Sequence, residues 1–356
     1  MLRTDKPDFN RIKTILQHKE ADRVPLAEAS ISLDIISAFL GKEVSINDFA
    51  SQVKFWATAG YDFIPLSIGM MQPGKVTENS PISKVIRNYL KSRGETGENW
   101  NLAEHALIRN ENDFLLFPWE EAAKVDLKPF YQVQPYLPEG MKIIALNGKI
   151  FTLSWLLMGY ENFCINIMIN PHFVQQVIEQ VAQIQIQSLE KIFNFPNVAG
   201  VWTLDDLAFG TTTMIQPHLL RQYIFPWYQK LVRRCHENNL VFFFHSDGYI
   251  EDIMDDLIGL EIDALHPIDP TCMDIEEVKQ KVGDRITLMG NISNEMLMRS
   301  KPEEVSHLVR ERIKKIAPGG GYCLGSGNSV PDWAKYENYL AMIKTGLAYG
   351  KYPIHA

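Results

Sequence analysis

The chain has 356 residues and a formal net charge of −8, from 35 basic and 43 acidic side chains. Hydrophobic residues make up 46% and charged residues 22%, which is the composition of a globular protein and excludes a largely disordered chain. The negative balance disfavours nucleic acid or an anionic membrane surface as the main partner. At this length, one large α/β domain is as reasonable an expectation as two smaller ones.

The N-terminus and the cysteines indicate a cytoplasmic location. The first residues carry charge without an apolar core segment, so no signal peptide is expected. No apolar run reaches the ~18 residues of a membrane span. The four cysteines form no C-x-x-C pair and do not make a disulfide framework in a chain of this length. We therefore expect a protein of the reducing cytoplasm.

Short apolar or β-branched segments recur along the chain, and a helical pattern follows each of them. Eight segments are predicted to be strands: residues 23–29, 63–67, 142–148, 200–206, 240–247, 263–269, 286–292 and 321–328. Residues 241–244 and 286–289 are apolar on both faces, which is typical of parallel strands covered on both sides. The alternation predicts a single (β/α)8 TIM barrel over residues 1–356, with a doubly wound open sheet as the alternative.

Proline and acidic start signals mark the helices between these strands. Helices are predicted over about residues 171–193, 217–238 and 303–316, with others beginning after residues 274 and 332. Residues 70–130 fit the alternation poorly, because they are polar and contain the segment GETGEN. We interpret them as an insertion after the second strand, either a lid over the site or a surface excursion without a function.

Polar and reactive side chains stand at the C-terminal end of nearly every predicted strand. In a barrel these ends converge at one mouth, where active sites usually lie. The candidates for catalysis are Glu28, Asp205, Asp206, His245 and Asp247. The candidates for substrate binding at the strand ends are Ser67, Asn147, His266, Asn291, Ser326 and Asn328.

His245 and Asp247 directly follow the buried apolar run VFFF. Residues i and i+2 of a strand point to the same side, so these two can share one target. They can bind a divalent metal or act as an acid/base pair, and a purely structural hydrogen bond is the alternative. Of Asp205 and Asp206, only one is expected to point into the barrel, and the sequence does not decide which.

Five segments, in order, resemble the uroporphyrinogen decarboxylase superfamily over nearly the whole chain. They are NRIKTILQHKEADRVPL (10–26), GVWTLDDLAFGTTTMIQP (200–217), FFFHSDGYIEDIMDDLIGLEIDALHPI (242–268), ITLMGNIS (286–293) and LGSGNSVPDWAKYENYLAMI (324–343). The resemblance implies the distorted (β/α)8 barrel of that superfamily. It also implies a choice between its decarboxylase and methyltransferase branches.

The decarboxylase branch fits the chain less well. The resemblance implies that the decarboxylase binds the acidic side chains of its tetrapyrrole with an arginine-rich segment. The equivalent stretch here, EASISLDII at 28–36, has no basic residue. Ser67 stands near the place of its catalytic aspartate, Trp155 near that of its tyrosine, and Ser326 at the histidine of its GHG motif. Decarboxylation of a porphyrinogen is therefore kept as the alternative.

The branch of corrinoid-dependent methyltransferases fits better. Members that act on coenzyme M hold zinc with a His-x-Cys and with a cysteine in a GCG motif. This chain keeps His245, but has Asp247 for the first cysteine and Ser326 for the second. The resemblance implies His245 and Asp247 as ligands of zinc, if a metal is bound, with Glu28 or Cys323 as candidates to complete the set.

A His/Asp site is richer in oxygen than a dithiolate site and suits the activation of an ether oxygen. We therefore predict an O-demethylase component, which moves a methyl group from a small methoxylated substrate to a corrinoid protein. Trp155 and Trp202 would suit an aromatic substrate, although core packing explains them equally well. The corrinoid is expected on a separate protein, because the chain has no DxHxxG motif. A non-catalytic binding protein on a degenerate barrel is a further alternative. The sequence does not decide whether the protein forms a homodimer.

Overall fold

The computed structural model describes residues 6–68, 88, 89, 91 and 106–354. Seven parallel strands form one sheet, in which strands that follow each other in sequence are also neighbours in space. The strands are β1 (Phe63–Ser67), β2 (Lys142–Leu146), β3 (Val198–Leu204), β4 (Val241–His245), β5 (Ala264–His266), β6 (Thr287–Ile292) and β7 (Tyr322–Ser326). Each of them coincides with a predicted strand, and the parallel order follows from the helices between them.

Residues 23–29, predicted as the first strand, do not form a regular strand, so the prediction of eight strands is corrected to seven in the described residues. Leu26 makes one isolated parallel bridge to Tyr61, directly before β1, and another to Leu324 in β7. Pro25 has no N–H to donate, so a continuous ladder cannot pass through it. The segment lies between the two edge strands of the sheet and contacts both.

Helices alternate with the strands, as the sequence predicts. They are α1 (Asn10–Leu16), α2 (Leu33–Leu40), α3 (Phe49–Ala59), α4 (Glu111–Leu116), α5 (Trp119–Ala122), α6 (Lys128–Val133), α7 (Phe151–Met158), α8 (Tyr160–Ile169), α9 (Pro171–Glu190), α10 (Pro217–Leu219), α11 (Phe225–Glu237), α12 (Met254–Gly259), α13 (Ile275–Val282), α14 (Asn294–Arg299), α15 (Pro302–Ile316) and α16 (Tyr336–Tyr349). A π-helical segment, Leu220–Ile224, joins α10 to α11. In the described part of the chain, none of the helices has the length and apolar character needed to cross a membrane.

The predicted insertion at about 70–130 is described only in its later part. Residues 70–87, 90 and 92–105 lie outside the described residues, and the lid hypothesis concerns mainly these. Helices α4, α5 and α6 follow. The backbone N–H of Asp126 donates to the carbonyl of Ile68 at 3.0 Å and ties this segment to the end of β1.

The inner face of the sheet forms a small core together with the N-terminal segment. Trp202 and Phe243 pair across β3 and β4, with ring centroids 5.6 Å apart, and both contact Phe63 of β1. Three residues of the N-terminal segment pack into the same cluster: Phe9, Ile12 and Ile15. Helix α1 therefore covers the end of the sheet where the strands begin. The candidate site residues lie at the opposite end of the sheet, where the strands finish.

A buried ion pair fixes α1 to the base of β1. Arg11 and Asp62 are 5% and 0% exposed, and their side chains form a direct salt bridge. Arg23 Nη2 lies 3.5 Å from the same carboxylate. Removing Arg11 takes the nearest cation away from a fully buried carboxylate, and loss of one partner of a buried ion pair is strongly destabilising. The pair therefore joins the N-terminal segment to the sheet.

We expect Arg11→Ala to lower the free energy of unfolding by about 3–5 kcal/mol, because the buried Asp62 loses its nearest cation. Lys124→Ala is the matched control, since it breaks an exposed pair with Glu121 that contributes little. Urea unfolding of both variants measures the difference. Equally small losses in the two variants would show that the buried pair does not hold α1 in place.

Candidate functional site

Three neighbouring strands end in one row of side chains. The register pairs Leu204 of β3 with His245 of β4, and His245 with His266 of β5. Side chains alternate across a strand, so Asp206 follows Leu204 on the same face and Asp247 follows His245 on the same face. Two carboxylates and two imidazoles are thereby brought together at the C-terminal end of the sheet.

The side chains of Asp206, His245 and Asp247 form a compact cluster. His245 Nε2 lies 3.4 Å from Asp206 Oδ1 and 3.5 Å from Asp247 Oδ1. One potential ligand atom from each residue lies within 4.8 Å of the other two, and among the described residues this is the one such group of three. The backbone N–H of Asp247 donates to Asp206 Oδ1 at 3.0 Å, whereas Asp247 Oδ1 is buried and accepts no hydrogen bond.

His266 forms a hydrogen bond with the second ring nitrogen of His245, Nδ1. The two Nδ1 atoms are 2.7 Å apart, so one ring carries a proton there and donates it to the other. Both histidines are buried, and Trp202 packs perpendicular to His266 with ring centroids 5.1 Å apart. When His245 is the donor, its Nε2 faces the two carboxylates, either as a ligand atom or as a second N–H donor.

Burial and neighbouring charges shift the pKa values of the side chains in and beside the cluster in different directions. Burial alone lowers the pKa of His245, but the hydrogen bond to Asp206 and the charges of Asp206 and Asp247 outweigh it and raise the pKa. Burial raises the pKa of Asp206, yet the contact with His245 brings it below its usual range. Burial dominates at Asp247 and raises its pKa to about 6. Burial and the neighbouring His245 hold the pKa of His266 well below 6.5, so that ring is neutral.

We expect Asp247→Asn to lower the pKa of His245, because the substitution removes a negative charge that favours the protonated ring. NMR titration of the imidazole C–H resonances measures this pKa. Glu28→Gln is the control and should leave it unchanged, since Glu28 lies outside the cluster. An unchanged pKa in Asp247→Asn would contradict the coupling between the two side chains.

Asp205 points away from the cluster and caps α7. Its carboxylate accepts the consecutive backbone N–H groups of residues 150–152 at 2.7–2.8 Å, and it also accepts the hydroxyl of Tyr228. The residue is fully buried. Both of its oxygens are thus engaged within the fold, and Asp206 supplies the carboxylate that faces His245.

We expect Asp205→Ala to lower the free energy of unfolding by more than about 3 kcal/mol, since buried donors lose their acceptor. Asp206→Ala is the matched control, because that side chain is 49% exposed, and the expected loss is about 1 kcal/mol or less. Denaturant unfolding compares the two. A loss in Asp206→Ala as large as that in Asp205→Ala would contradict the division of roles between these carboxylates.

Glu28 and Ser326 form a pair outside the cluster. Ser326 donates its backbone N–H and its hydroxyl to the Glu28 carboxyl group, both at 2.6 Å. Glu28 is fully buried, and burial raises its pKa to about 8. Its neighbours Ala27 and Ala29 belong to the inner core, so alternation turns Glu28 outward. Cys323, the other candidate for a third ligand, lies in the inner core and is not part of the cluster.

The three asparagines predicted to bind substrate differ in whether they contact the cluster. Asn328 donates to Asp247 Oδ2 and thereby joins the end of β7 to the site. Asn291 donates to a carbonyl of the loop after β5 at 2.9 Å, and its Oδ1 is buried without a hydrogen bond. Asn147 turns toward α9 and donates to a backbone carbonyl at 3.2 Å. Of these three, Asn328 contacts the cluster.

The remaining predicted substrate-binding residues lie in three places. Trp202 is fully buried in the inner core. Trp155 of α7 packs edge-to-face on Tyr160 at 5.6 Å, and Tyr160 packs on Phe209 at 6.0 Å. Phe209 is 47% exposed in the loop after β3, so this aromatic row reaches the surface. Ser67 lines a cleft of about 450 Å³ at the end of β1.

Three residues of this region were given no catalytic, binding or metal-ligating role by the sequence, although Asp269 is a polar residue at the end of the predicted strand 263–269. Gly248 has a φ of +88°, and a Cβ there would lie 2.5 Å from the Phe209 carbonyl oxygen, so the loops after β3 and β4 meet over a glycine. Asp269 accepts the Gly248 N–H at 3.1 Å. Lys149 is half-buried in the loop after β2, and its charge lowers the pKa of His245. In the sequence, Lys149 could have been found as the last residue of the polar segment NGK (147–149), which directly follows the apolar part of the predicted strand 142–148.

Comparisons with known proteins agree on the family and on the fold. The uroporphyrinogen decarboxylase (URO-D) family model matches residues 121–349, which contain β2 to β7 and the whole cluster. The uroporphyrinogen decarboxylases of three Coxiella burnetii strains are each 26% identical over 141 residues, or 37% of this chain, and the match spans 36% of their length. A methyltransferase from Methanosarcina mazei has a similar structure, with a TM-score of 0.67 and 14% identity over 96% of this chain and 98% of that chain. At this identity, the structural likeness concerns the fold.

Proposed function

The chain belongs to the uroporphyrinogen decarboxylase family, and we propose that within it the protein is a corrinoid-dependent methyltransferase. In this proposal it removes the methyl group of a small methoxylated substrate, an aromatic ether, and transfers it to a corrinoid carried by a separate protein. The observation that carries the proposal is the oxygen-rich cluster around His245. The likeness of the fold to the Methanosarcina mazei methyltransferase is consistent with it.

Cleavage of an ether requires stabilisation of the departing oxygen, because an alkoxide or phenolate is a poor leaving group. His245 Nε2 stands beside two carboxylates, and the raised pKa of the ring keeps a proton available there. Without a metal, His245 gives this proton to the departing oxygen, and Asp206 and Asp247 stabilise the charged ring before transfer. A Co(I) corrinoid on the partner protein would supply the nucleophile for the methyl group, while His245 protonates the oxygen from which that group departs.

The same three side chains fit a divalent metal such as zinc. In a tetrahedral site with bonds of about 2.1 Å, ligand atoms lie about 3.4 Å apart, and His245 Nε2 is 3.4 and 3.5 Å from the two carboxylate oxygens. Asp247 Oδ1 is buried without a hydrogen bond, and His266 can accept the Nδ1 proton that a ligating His245 must carry. When bound, the metal would act as a Lewis acid on the ether oxygen.

The alternatives fit this site less well. A porphyrinogen decarboxylase binds a substrate with several carboxylates, and three acidic side chains stand here: Asp206, Asp247 and Asp269. A non-catalytic binding protein on a degenerate barrel is expected to pair off its buried polar groups. Asp247 Oδ1 and Asn291 Oδ1 are buried without hydrogen bonds. Both features favour the methyltransferase.

We also propose that the seven strands and residues 23–29 together form the closed barrel of the family. Leu26 bridges both edges of the seven-stranded sheet, and residues 23–29 would take the eighth place in the ring. A closed ring directs all strand ends to one mouth. That mouth is the face on which we place the docking of the corrinoid protein.

We expect the purified protein to transfer methyl groups from methoxylated aromatic compounds to a Co(I) corrinoid. His245→Ala should slow this transfer at least about 100-fold, because the departing oxygen loses its acid or its metal. His236→Ala is the matched control, since that histidine pairs with Asp263 beside the start of β5. The visible spectrum of the corrinoid follows the transfer.

Elemental analysis of the same proteins separates the two versions of the site. If the metal is used, His245→Ala loses metal and activity together. If His245 is the acid, the wild-type protein is active with negligible metal. Full methyl transfer by a His245→Ala/Asp247→Ala double variant, or efficient turnover of uroporphyrinogen by the wild-type protein, would overturn the proposal.

A further inference from the structure

A cleft of about 450 Å³ lies where β1 and β2 end. Residues 29–33, at the start of α2, form one wall, and the start of α3 with the loop before it forms another. Ser67 of β1 and Leu146 of β2, which are paired neighbours in the sheet, line the cleft at the strand ends. The volume is in the range of pockets that bind small molecules.

The lining of the cleft is mainly apolar and carries no charge. Among the described residues that line it, none is acidic or basic, and the large side chains include Ile46 and Trp56. Two of the polar side chains are engaged within the fold. Ser32 accepts an N–H of the first turn of α2, and Gln52 donates to the carbonyls of residues 45 and 46. A charged group placed here would lose water without meeting a counterion, so the lining favours an uncharged ligand.

Backbone hydrogen bonds fix the walls of the cleft. The N–H of Ser32 donates to the carbonyl of Val330 at 2.8 Å, and the N–H of Val330 donates to the carbonyl of Ser30 at 3.0 Å. The bond from Asp126 to Ile68 holds the segment before α6 at the end of β1, and α6 contributes to the lining. Because the walls are already in place, a ligand that enters pays little to order them.

A short row of contacts joins the cleft to the cluster. Leu146 pairs with Trp202 in the register of β2 and β3 and packs against the inner core that contains Trp202. The Trp202 ring contacts His266 with centroids 5.1 Å apart, and His266 is hydrogen-bonded to His245. Strands β2 and β4 are two strand spacings apart, about 10 Å. A molecule that reaches from the cluster into the cleft must span roughly this distance.

We propose that the cleft binds a second, uncharged aromatic ring of the substrate, separate from the ring that carries the methoxy group. This inference rests on the proposed function for the ether group, and it adds the substrate class, which is uncharged methoxyarenes of two linked rings. A single methoxylated ring with its oxygen at His245 is too short to fill the cleft as well. Burial of the second ring favours binding, and it orients the ether oxygen toward His245.

The test is calorimetric binding of three probes: 4-phenylphenol, phenol and biphenyl-4-carboxylate. The hydroxyl oxygen of the two phenols takes the place of the ether oxygen. We expect 4-phenylphenol to bind at least about tenfold more tightly than phenol, because its second ring is buried in the cleft. The carboxylate should bind at least about tenfold more weakly than 4-phenylphenol, because its charge meets either the uncharged cleft or the acidic cluster.

Two variants of Ile46 test the place where the second ring binds. Ile46 lines the cleft and is 71% exposed, so its substitution should leave the fold intact. Ile46→Asp should weaken binding of 4-phenylphenol at least about fivefold and leave phenol unchanged. Ile46→Lys should tighten binding of the carboxylate, because it gives the cleft a cation. Leu115→Asp is the matched control, since Leu115 is 77% exposed and lies outside the lining, and it should change none of the three affinities.

Two results would overturn the inference. One is a wild-type protein that binds 4-phenylphenol no more tightly than phenol. The other is an affinity for 4-phenylphenol that both Ile46 variants leave unchanged, or that falls in them together with the affinity for phenol. Either form of the second result would mean that the second ring does not lie in the cleft.

The same proteins distinguish this inference from the proposed function. The probe 4-phenylphenol has no methoxy group, so Ile46-dependent binding of this probe without methyl transfer from any ether would support the inference and overturn the function. Methyl transfer from anisole and 4-methoxybiphenyl with equal kcat/KM, in the wild-type protein and in Ile46→Asp, would support the function and overturn the inference.

Discussion

The buried carboxylate of Asp205 holds the two parts of the candidate site in a fixed relation. It stands at the end of β3 and accepts three N–H groups from the loop that follows β2. Because neighbouring residues of a strand point to opposite faces, the same residue also determines that Asp206 turns toward His245. One internal acceptor therefore positions both the loop that carries Lys149 and the carboxylate beside the imidazole.

Carboxyl groups near the end of the sheet differ in protonation because their surroundings differ. Glu28 is fully buried beside a serine, and burial raises its pKa to about 8. Asp247 is partly buried among other acids with a histidine nearby, and its pKa rises to about 6. Asp206 is half exposed and faces the same histidine, which brings its pKa below the usual range. Carboxyl groups whose pKa values are pushed apart in this way can divide acid and base roles between them.

Hydrophobic patterning predicted the strands that bear the site, because short runs of β-branched and aromatic residues are typical of buried strands. It failed at residues 23–29, where Pro25 interrupts the ladder. Alternation predicted that His245 and Asp247 share a side. It could not predict that Glu28 and Asp205 face away, because that choice depends on the register with neighbouring strands. Lys149 was missed because it lies beyond the predicted strand end.

The position of α1 has a consequence for the order of events at the site. Phe9, Ile12 and Ile15 fill the end of the sheet where the strands begin, so ligands reach His245 from the other end. Under the proposed function, the small ether and the corrinoid protein share this approach, and a docked protein stands in the path of the small molecule. The ether must therefore enter before the protein docks, and the demethylated product leaves after it departs. Such a site gives compulsory-order kinetics, in which the product is released only after the partner has undocked.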